Sequence, residues 1–167
     1  MKIYILGASG FLGSGAVKYF TEKGHTVLTD RLDVTDLITL KDTFAQTKPD
    51  VVINFAGVRA YPNVDWCEDN KTETVQVNVA GAINVMTAAM ESGAYPIQIS
   101  SGCVYSGDEN YLFTENDTPN FYGSFYSRMR IVLENSLKEL PVLYLRIRMP
   151  ISYMSHPRNT INKIISY

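Results

Sequence analysis

An apolar run, Lys2-Ile3-Tyr4-Ile5-Leu6, passes straight into Gly7-Ala8-Ser9-Gly10-Phe11-Leu12-Gly13, and a helical pattern begins within that stretch. Glycines at three-residue spacing between a strand and a helix leave few folds open. The first glycine permits a sharp turn, the second lets the backbone approach a pyrophosphate, and the third lets the helix lie close on the strand. The helix N-terminus then offers unpaired N–H groups and the positive end of its dipole to an anion. Plain glycine-rich turns share the triplet; the strand before it and the helix after it select the dinucleotide-binding reading.

The alternation continues along the chain. Helical spacing over 12–22 stops at Gly24, and 25–30 reads as a second strand. Asp36 is placed to cap a helix that ends before Pro49. Residues 50–56 are an apolar run that reads as a buried third strand. A long helix is expected over 70–92, a fourth strand over 95–101, a second long helix over 121–140, a fifth strand over 142–148 and a short helix from near Arg158. This predicts an α/β fold, a doubly wound Rossmann-like parallel sheet of order 3-2-1-4-5 with helices on both faces. The 167 residues suit one domain with one core. Ligands of such sheets sit at the carboxyl ends of the strands. Gly7, Asp30, the stretch from Asn54 through Phe55, Ala56 and Gly57, and the stretch from Ser100 to Cys103 all fall at those ends and are expected to converge.

With 15 basic and 17 acidic residues the charge is nearly balanced, which argues against a nucleic-acid surface or a polybasic membrane patch. No apolar run approaches the ~20 residues that span a bilayer. The chain opens on a strand rather than a signal peptide. Cys67 and Cys103 form neither a disulfide framework nor a metal spacing, so no metal is expected and a cytoplasmic location is the simplest reading. The sequons at Asn70 and Asn116 then read as chance matches.

Asp30 stands near the ~20-residue distance at which an acid meets the adenosine ribose of NAD. Arg31 follows at once and suits the 2′-phosphate of NADP, so the pair leaves the choice open; Asp33 is a further candidate at this end. A turn Asp beside a solvated Arg is the plainer alternative. Ser101, Cys103 and Tyr126 are the reactive candidates. Arg130 lies one helical turn after Tyr126 and can lower the pKa of a tyrosine acting as general acid, although spacing alone favours a surface Tyr–Arg pair. Cys103 reads either as a small buried hydrophobe or as a thiolate base. His25 and His156 read as structural or solvated.

Several segments carry a resemblance: GASGFLG at 7–13, INFAG at 53–57, PNVDWCE at 62–68, ISSGCVY at 99–105, DTPNF at 117–121, GSFYS at 123–127, LRIRMPI at 145–151 and PRN at 157–159. Together they are similar to the extended short-chain dehydrogenase/reductase family. Within it they most resemble the 3,5-epimerase/4-keto-reductases of nucleotide-linked rhamnose synthesis. The dTDP-4-dehydrorhamnose reductases and the GDP-fucose synthases are more distant look-alikes. The resemblance implies that Ser101 hydrogen-bonds the 4-keto oxygen of a nucleotide-sugar substrate and that Tyr126 protonates it as hydride arrives from the nicotinamide. It also implies that Cys103 and Lys163 form an epimerase acid/base pair and that Asn78 supports the active-site backbone. NADPH is the coenzyme it favours, with NADH left open by Asp30. A homodimer through the two long helices would follow as well.

Two departures accompany the likeness. The family motif Tyr-x-x-x-Lys ends here in Arg130, at the position that also holds the nicotinamide ribose. The family also continues for roughly another domain, so most of a C-terminal substrate-binding part is expected to be missing. The alternative is a non-catalytic dinucleotide-binding subunit or an inactive truncated homologue, and a third reading is a 4-keto-reductase without epimerase function.

Overall fold

The computed structural model describes residues 1–58, 63–108, 110–152, 156 and 158–165, the side chain of Lys163 excepted. In chain order these form β1 (Lys2–Leu6), α1 (Phe11–Glu22), β2 (Thr26–Leu28), α2 (Leu37–Thr47), β3 (Val51–Asn54), α3 (Trp66–Asp69), α4 (Lys71–Val75), a π-helical segment (Gln76–Gly81), α5 (Ala82–Glu91), β4 (Tyr95–Ser101), α6 (Phe125–Leu137), β5 (Leu143–Ile147) and α7 (Thr160–Ile165). All strand pairs are parallel.

The strand order is β2-β1-β3-β4-β5, which corrects the expected 3-2-1-4-5. Burial explains the difference. β2 has three residues, none buried, and suits an edge. In β3, Val52, Ile53 and Asn54 are all buried, so both faces of that strand are covered and it belongs inside the sheet. Handedness agrees: α1 carries the chain from β1 out to β2, and α2 must carry it back across β1, so right-handed crossovers put the two helices on opposite faces.

Alternation along β1 feeds both faces. Ile3 and Ile5, with Ile53, pack against Ala16, Val17 and Phe20 of α1. Tyr4 and Leu6, with Val52, pack with Leu40 and Phe44 of α2, Val85 and Met86 of α5, and Leu133 of α6. The strand order reverses between β1 and β3, and the ligand crevice of such a sheet opens there.

The helix expected over 70–92 is interrupted by the π-helical segment, and the one expected over 121–140 is shorter at both ends. Asp36 does cap α2: its carboxylate accepts from the Thr39 N–H at 3.1 Å and from the Thr39 hydroxyl at 2.6 Å. Those bonds, the hydroxyl first, hold the carboxyl below its ordinary range. A group depressed by folding stabilises above its unfolded pKa and loses that contribution as pH falls through its folded value. Asp36→Ala is therefore expected to lower the melting temperature fully above about pH 5, and the gap to the native chain is expected to close as pH falls below about 4. Thermal melts across that range check this.

Candidate active site

The floor of the crevice is the turn after β1. Gly7 has φ +72°, and a Cβ there would lie 2.7 Å from the backbone of both Phe55 and Ala56. A Cβ on Gly13 would lie 2.2 Å from the Gly7 carbonyl oxygen. Glycine is thus required at both positions, and the turn rests directly on Phe55 and Ala56. The Gly10 N–H donates to the Gly7 carbonyl at 3.0 Å, and Gly10 leads into α1, whose N-terminus has neither a side-chain cap nor an acidic residue in its first turn. Its N–H groups are available to an anion. Ser9 is exposed and Leu12 half-buried. Phe11 is buried and stacks on His156 with centroids 4.7 Å apart, so that histidine packs on the turn.

One wall follows β3. Asn54 donates to Gln98 Oε1 and accepts from the Ala56 N–H, each at 2.9 Å, which fixes the backbone beyond the strand. Asn78, carried on the π-helical segment, accepts from the Val58 N–H at 3.0 Å. A Cβ on Gly57 would sit 3.0 Å from Asn78 Oδ1 and 3.5 Å from Arg130 Nη2, so both side chains border Gly57. Both are more than nine-tenths buried, yet Asn78 Nδ2 and Arg130 Nε have no hydrogen-bond partner among the described residues. Unpaired buried donors cost free energy unless a ligand or water meets them.

The other wall is β4 and α6. Ser101 Oγ is buried and accepts from the Cys103 N–H at 3.1 Å. Ser124 caps α6 by accepting from the Ser127 N–H at 3.1 Å, and Ser127 Oγ donates to the Cys103 carbonyl at 2.7 Å. Glu68 of α3 accepts from the Phe125 N–H at 2.6 Å, a second acceptor at the same helix end. The Arg130 guanidinium lies 5.1 Å from the centroid of the Tyr126 ring. The surface pair that spacing alone favoured is therefore corrected: Tyr126 is half-buried and Arg130 buried, because α6 packs its face against the π-helical segment. Cys103 is exposed, which removes the buried-hydrophobe alternative, whereas Cys67 is buried.

These contacts run from Gly7 through 55–57, Asn78 and Arg130 to Tyr126, and the next residue, Ser127, continues them to Cys103 and Ser101. Asp30 stands apart, just beyond β2, with Arg31 exposed beside it. Asp33 spends its Oδ1 on a local turn, accepting from the Thr35 N–H and hydroxyl. Lys163 lies in α7, but its side chain, like Pro62 and Pro157 of the quoted motifs, is outside the described residues.

The family model described as the RmlD substrate binding domain matches residues 1–167. The chain belongs to that family. A trifunctional UDP-glucose 4,6-dehydratase/UDP-4-keto-6-deoxy-D-glucose 3,5-epimerase/UDP-4-keto-L-rhamnose-reductase of Arabidopsis thaliana is 38% identical over 100% of this RmlD-family chain, which spans 26% of that protein. A bifunctional dTDP-4-dehydrorhamnose 3,5-epimerase/dTDP-4-dehydrorhamnose reductase of the same plant is 38% identical over 98% of the chain, which spans 57% of it. The crystal structure of the L780 UDP-rhamnose synthase of Acanthamoeba polyphaga mimivirus superposes with a TM-score of 0.91 at 31% identity, covering 100% of this chain and 62% of that one. Among the described residues, no helix of this RmlD-family chain is long and apolar enough to cross a membrane.

Sequence reasoning missed several residues that hold the site. Gln98, the partner that holds Asn54, announces itself only as an amide inside an apolar strand. Glu68 caps a helix 57 residues away, and no local pattern signals that. Ser127 sits inside a quoted motif without any cue to its bond.

Proposed function

We propose that this chain carries the coenzyme-binding and catalytic half of an NAD(P)H-dependent enzyme. Its reaction would be reduction, with 3,5-epimerisation, of a nucleotide-linked 4-keto-6-deoxyhexose in rhamnose-type sugar synthesis. The observation that carries this reading is the buried pair Asn78 and Arg130, whose side chains border Gly57 and which each keep one unmet donor. The printed names of the relatives, epimerases and reductases of UDP- or dTDP-linked keto-sugars, support the substrate class.

The residues present fit a nicotinamide dinucleotide. Gly7 to Gly13 and the uncapped start of α1 would hold the pyrophosphate, and Ala56, Gly57, Asn78, Tyr126 and Arg130 the nicotinamide ribose. Bound there, the coenzyme would supply a hydride. Ser101 would donate to the keto oxygen at C4, and Tyr126 would give it a proton as charge develops. Arg130, 5.1 Å from the centroid of the Tyr126 ring, would hold that ring in place beside the keto oxygen. Before reduction the same polarised carbonyl acidifies the C–H bonds at C3 and C5, and Cys103 with Lys163 would remove and return those protons. A pairing of two copies through α4, α5 and α6, whose Val75 and Val132 are solvent-exposed, belongs to the same proposal.

A second reading, a dinucleotide-binding subunit without turnover, is favoured by Arg130 itself, since a guanidinium stays protonated and relays no proton. Incubation with UDP-4-keto-6-deoxyglucose and NADH or NADPH in heavy water separates the two. The expected result is coenzyme oxidation with deuterium at C3 and C5, faster in Arg130→Lys. Coenzyme binding without either signal, in both proteins, would leave the subunit reading. Unchanged activity in Cys103→Ser would leave reduction without epimerisation.

A further inference from the structure

Tyr4 is a polar-tipped residue in the middle of the most deeply buried strand. Its ring is fully buried and meets Phe44 edge-on at 5.0 Å. Its neighbours Ile3, Ile5 and Leu6 are wholly apolar, and packing alone would be served by another such side chain. The hydroxyl is accounted for at the other end: it donates to Asp30 Oδ2 at 3.1 Å. Tyr4 pairs in register with Leu28, and Asp30 lies two residues further along, on the same side of the chain. The first strand therefore reaches through the core to hold the acid that follows the second. Burial, and then the Asp30 carboxylate, raise the Tyr4 pKa well above its ordinary value, so the phenol stays a neutral donor.

Asp30 is otherwise open. It is exposed, and its Oδ1 accepts no bond among the described residues. Arg31 is exposed too, and no ion pair joins it to Asp30 among the described residues, so the carboxylate charge is not neutralised there. A fixed carboxylate with a free oxygen accepts ribose hydroxyls well. A phosphate on the 2′ position would bring like charge against it.

We propose that Tyr4 is a specificity-determining positioning residue: its hydroxyl fixes the Asp30 carboxylate to accept an unphosphorylated adenosine ribose, and the chain selects NADH over NADPH. This rests on the dinucleotide reading above and departs from the NADPH that the family resemblance favours. The test is titration of NADH and NADPH into the full chain by coenzyme fluorescence, with ADP-ribose and its 2′-phosphorylated form as competitors that probe the adenosine end alone. NADH is expected to bind at least about tenfold more tightly than NADPH. Asp30→Ser is expected to erase that preference. Tyr4→Phe keeps the ring against Phe44, and it is expected to lower the NADH-to-NADPH affinity ratio severalfold while far-UV circular dichroism and the urea midpoint report an intact fold. Equal affinities, or a preference for NADPH, in the native chain overturn the inference while leaving the dinucleotide reading standing. An unchanged ratio in Tyr4→Phe, with Asp30→Ser altered, overturns the role of Tyr4. Binding of none of the four probes overturns the dinucleotide reading and this inference together.

Discussion

Gly13→Ala is expected to cost about 3 kcal/mol of stability and to abolish coenzyme binding, the upper end of what overpacking a tight contact costs. The added carbon would stand 2.2 Å from the Gly7 carbonyl oxygen, a distance at which backbone must move. That carbonyl has little room to retreat. It accepts from the Gly10 N–H at 3.0 Å, and Gly7 itself is pressed against the backbone of Phe55 and Ala56. Relief then comes from lifting α1 off the sheet, which exposes Ile3, Ile5 and Ile53 to water and displaces the N–H groups that would meet the pyrophosphate. Gly10→Ala is the informative contrast. Its Cβ would lie 3.2 Å from the same oxygen, so the fold is expected to survive while coenzyme affinity drops, because the added methyl group occupies the approach to the phosphates. Urea unfolding and coenzyme titration of both variants check the split. A Gly13→Ala protein that keeps its urea midpoint and its affinity would show that α1 shifts freely, and the turn would lose its claim as a rigid cradle.

The turn was readable because its requirement is local: strand, glycine spacing and helix are contiguous in the chain. The parallel sheet was readable for a similar reason, since each strand and helix carries its own periodicity. Strand order is different in kind. It depends on which strand is covered on both faces, and an apolar run at 50–56 marks a buried strand without saying which strands flank it. The catalytic candidates lay between these cases. Ser101 was marked by its place at the carboxyl end of a strand and Tyr126 by its helical spacing to Arg130, and motif likeness then gave both their roles. Burial of Arg130 was invisible to spacing, because it is created by the π-helical segment that brings Asn78 to Gly57. One extra residue in a helical turn, frequent at functional sites, leaves little mark in a sequence. The contacts least legible were polar ones between distant elements, such as Glu68 with Phe125 and Tyr4 with Asp30, where neither partner's neighbours predict the other.

Glu134→Ala is expected to destabilise the chain by about 3 kcal/mol, the lower end of the cost of breaking a buried ion pair. Glu134 is buried on α6, where Oε1 accepts from the Ser100 hydroxyl at 2.5 Å and Oε2 accepts from Arg146 Nε and Nη2 at 3.0 and 2.8 Å. The two charge-assisted bonds to Glu134 Oε2 are the main reason the Arg146 guanidinium is held above its ordinary pKa. Removing the carboxylate leaves the Ser100 hydroxyl and Arg146 Nε and Nη2 without their acceptor, while Nη1 keeps the Glu115 carbonyl at 3.1 Å, and the guanidinium is the costlier because its side chain is only 23% exposed. That remaining exposure keeps the cost at the low end. Replacing both partners, Glu134→Met with Arg146→Met, is expected to recover at least half of the loss, since no charge is then left unpaired. The double-mutant cycle by urea unfolding measures the coupling. A site effect should accompany it, because Ser100 precedes Ser101 on β4 and Arg130 lies one turn before Glu134 on α6. The carboxylate thus clamps the strand of one catalytic candidate to the helix of two others. Coenzyme affinity in Glu134→Ala should fall along with stability, and in the double Met variant it should return only as far as the clamp is replaced by packing. A cost below about 1 kcal/mol for Glu134→Ala would mean that Arg146 finds water without penalty and that α6 is held to the sheet by its apolar face alone.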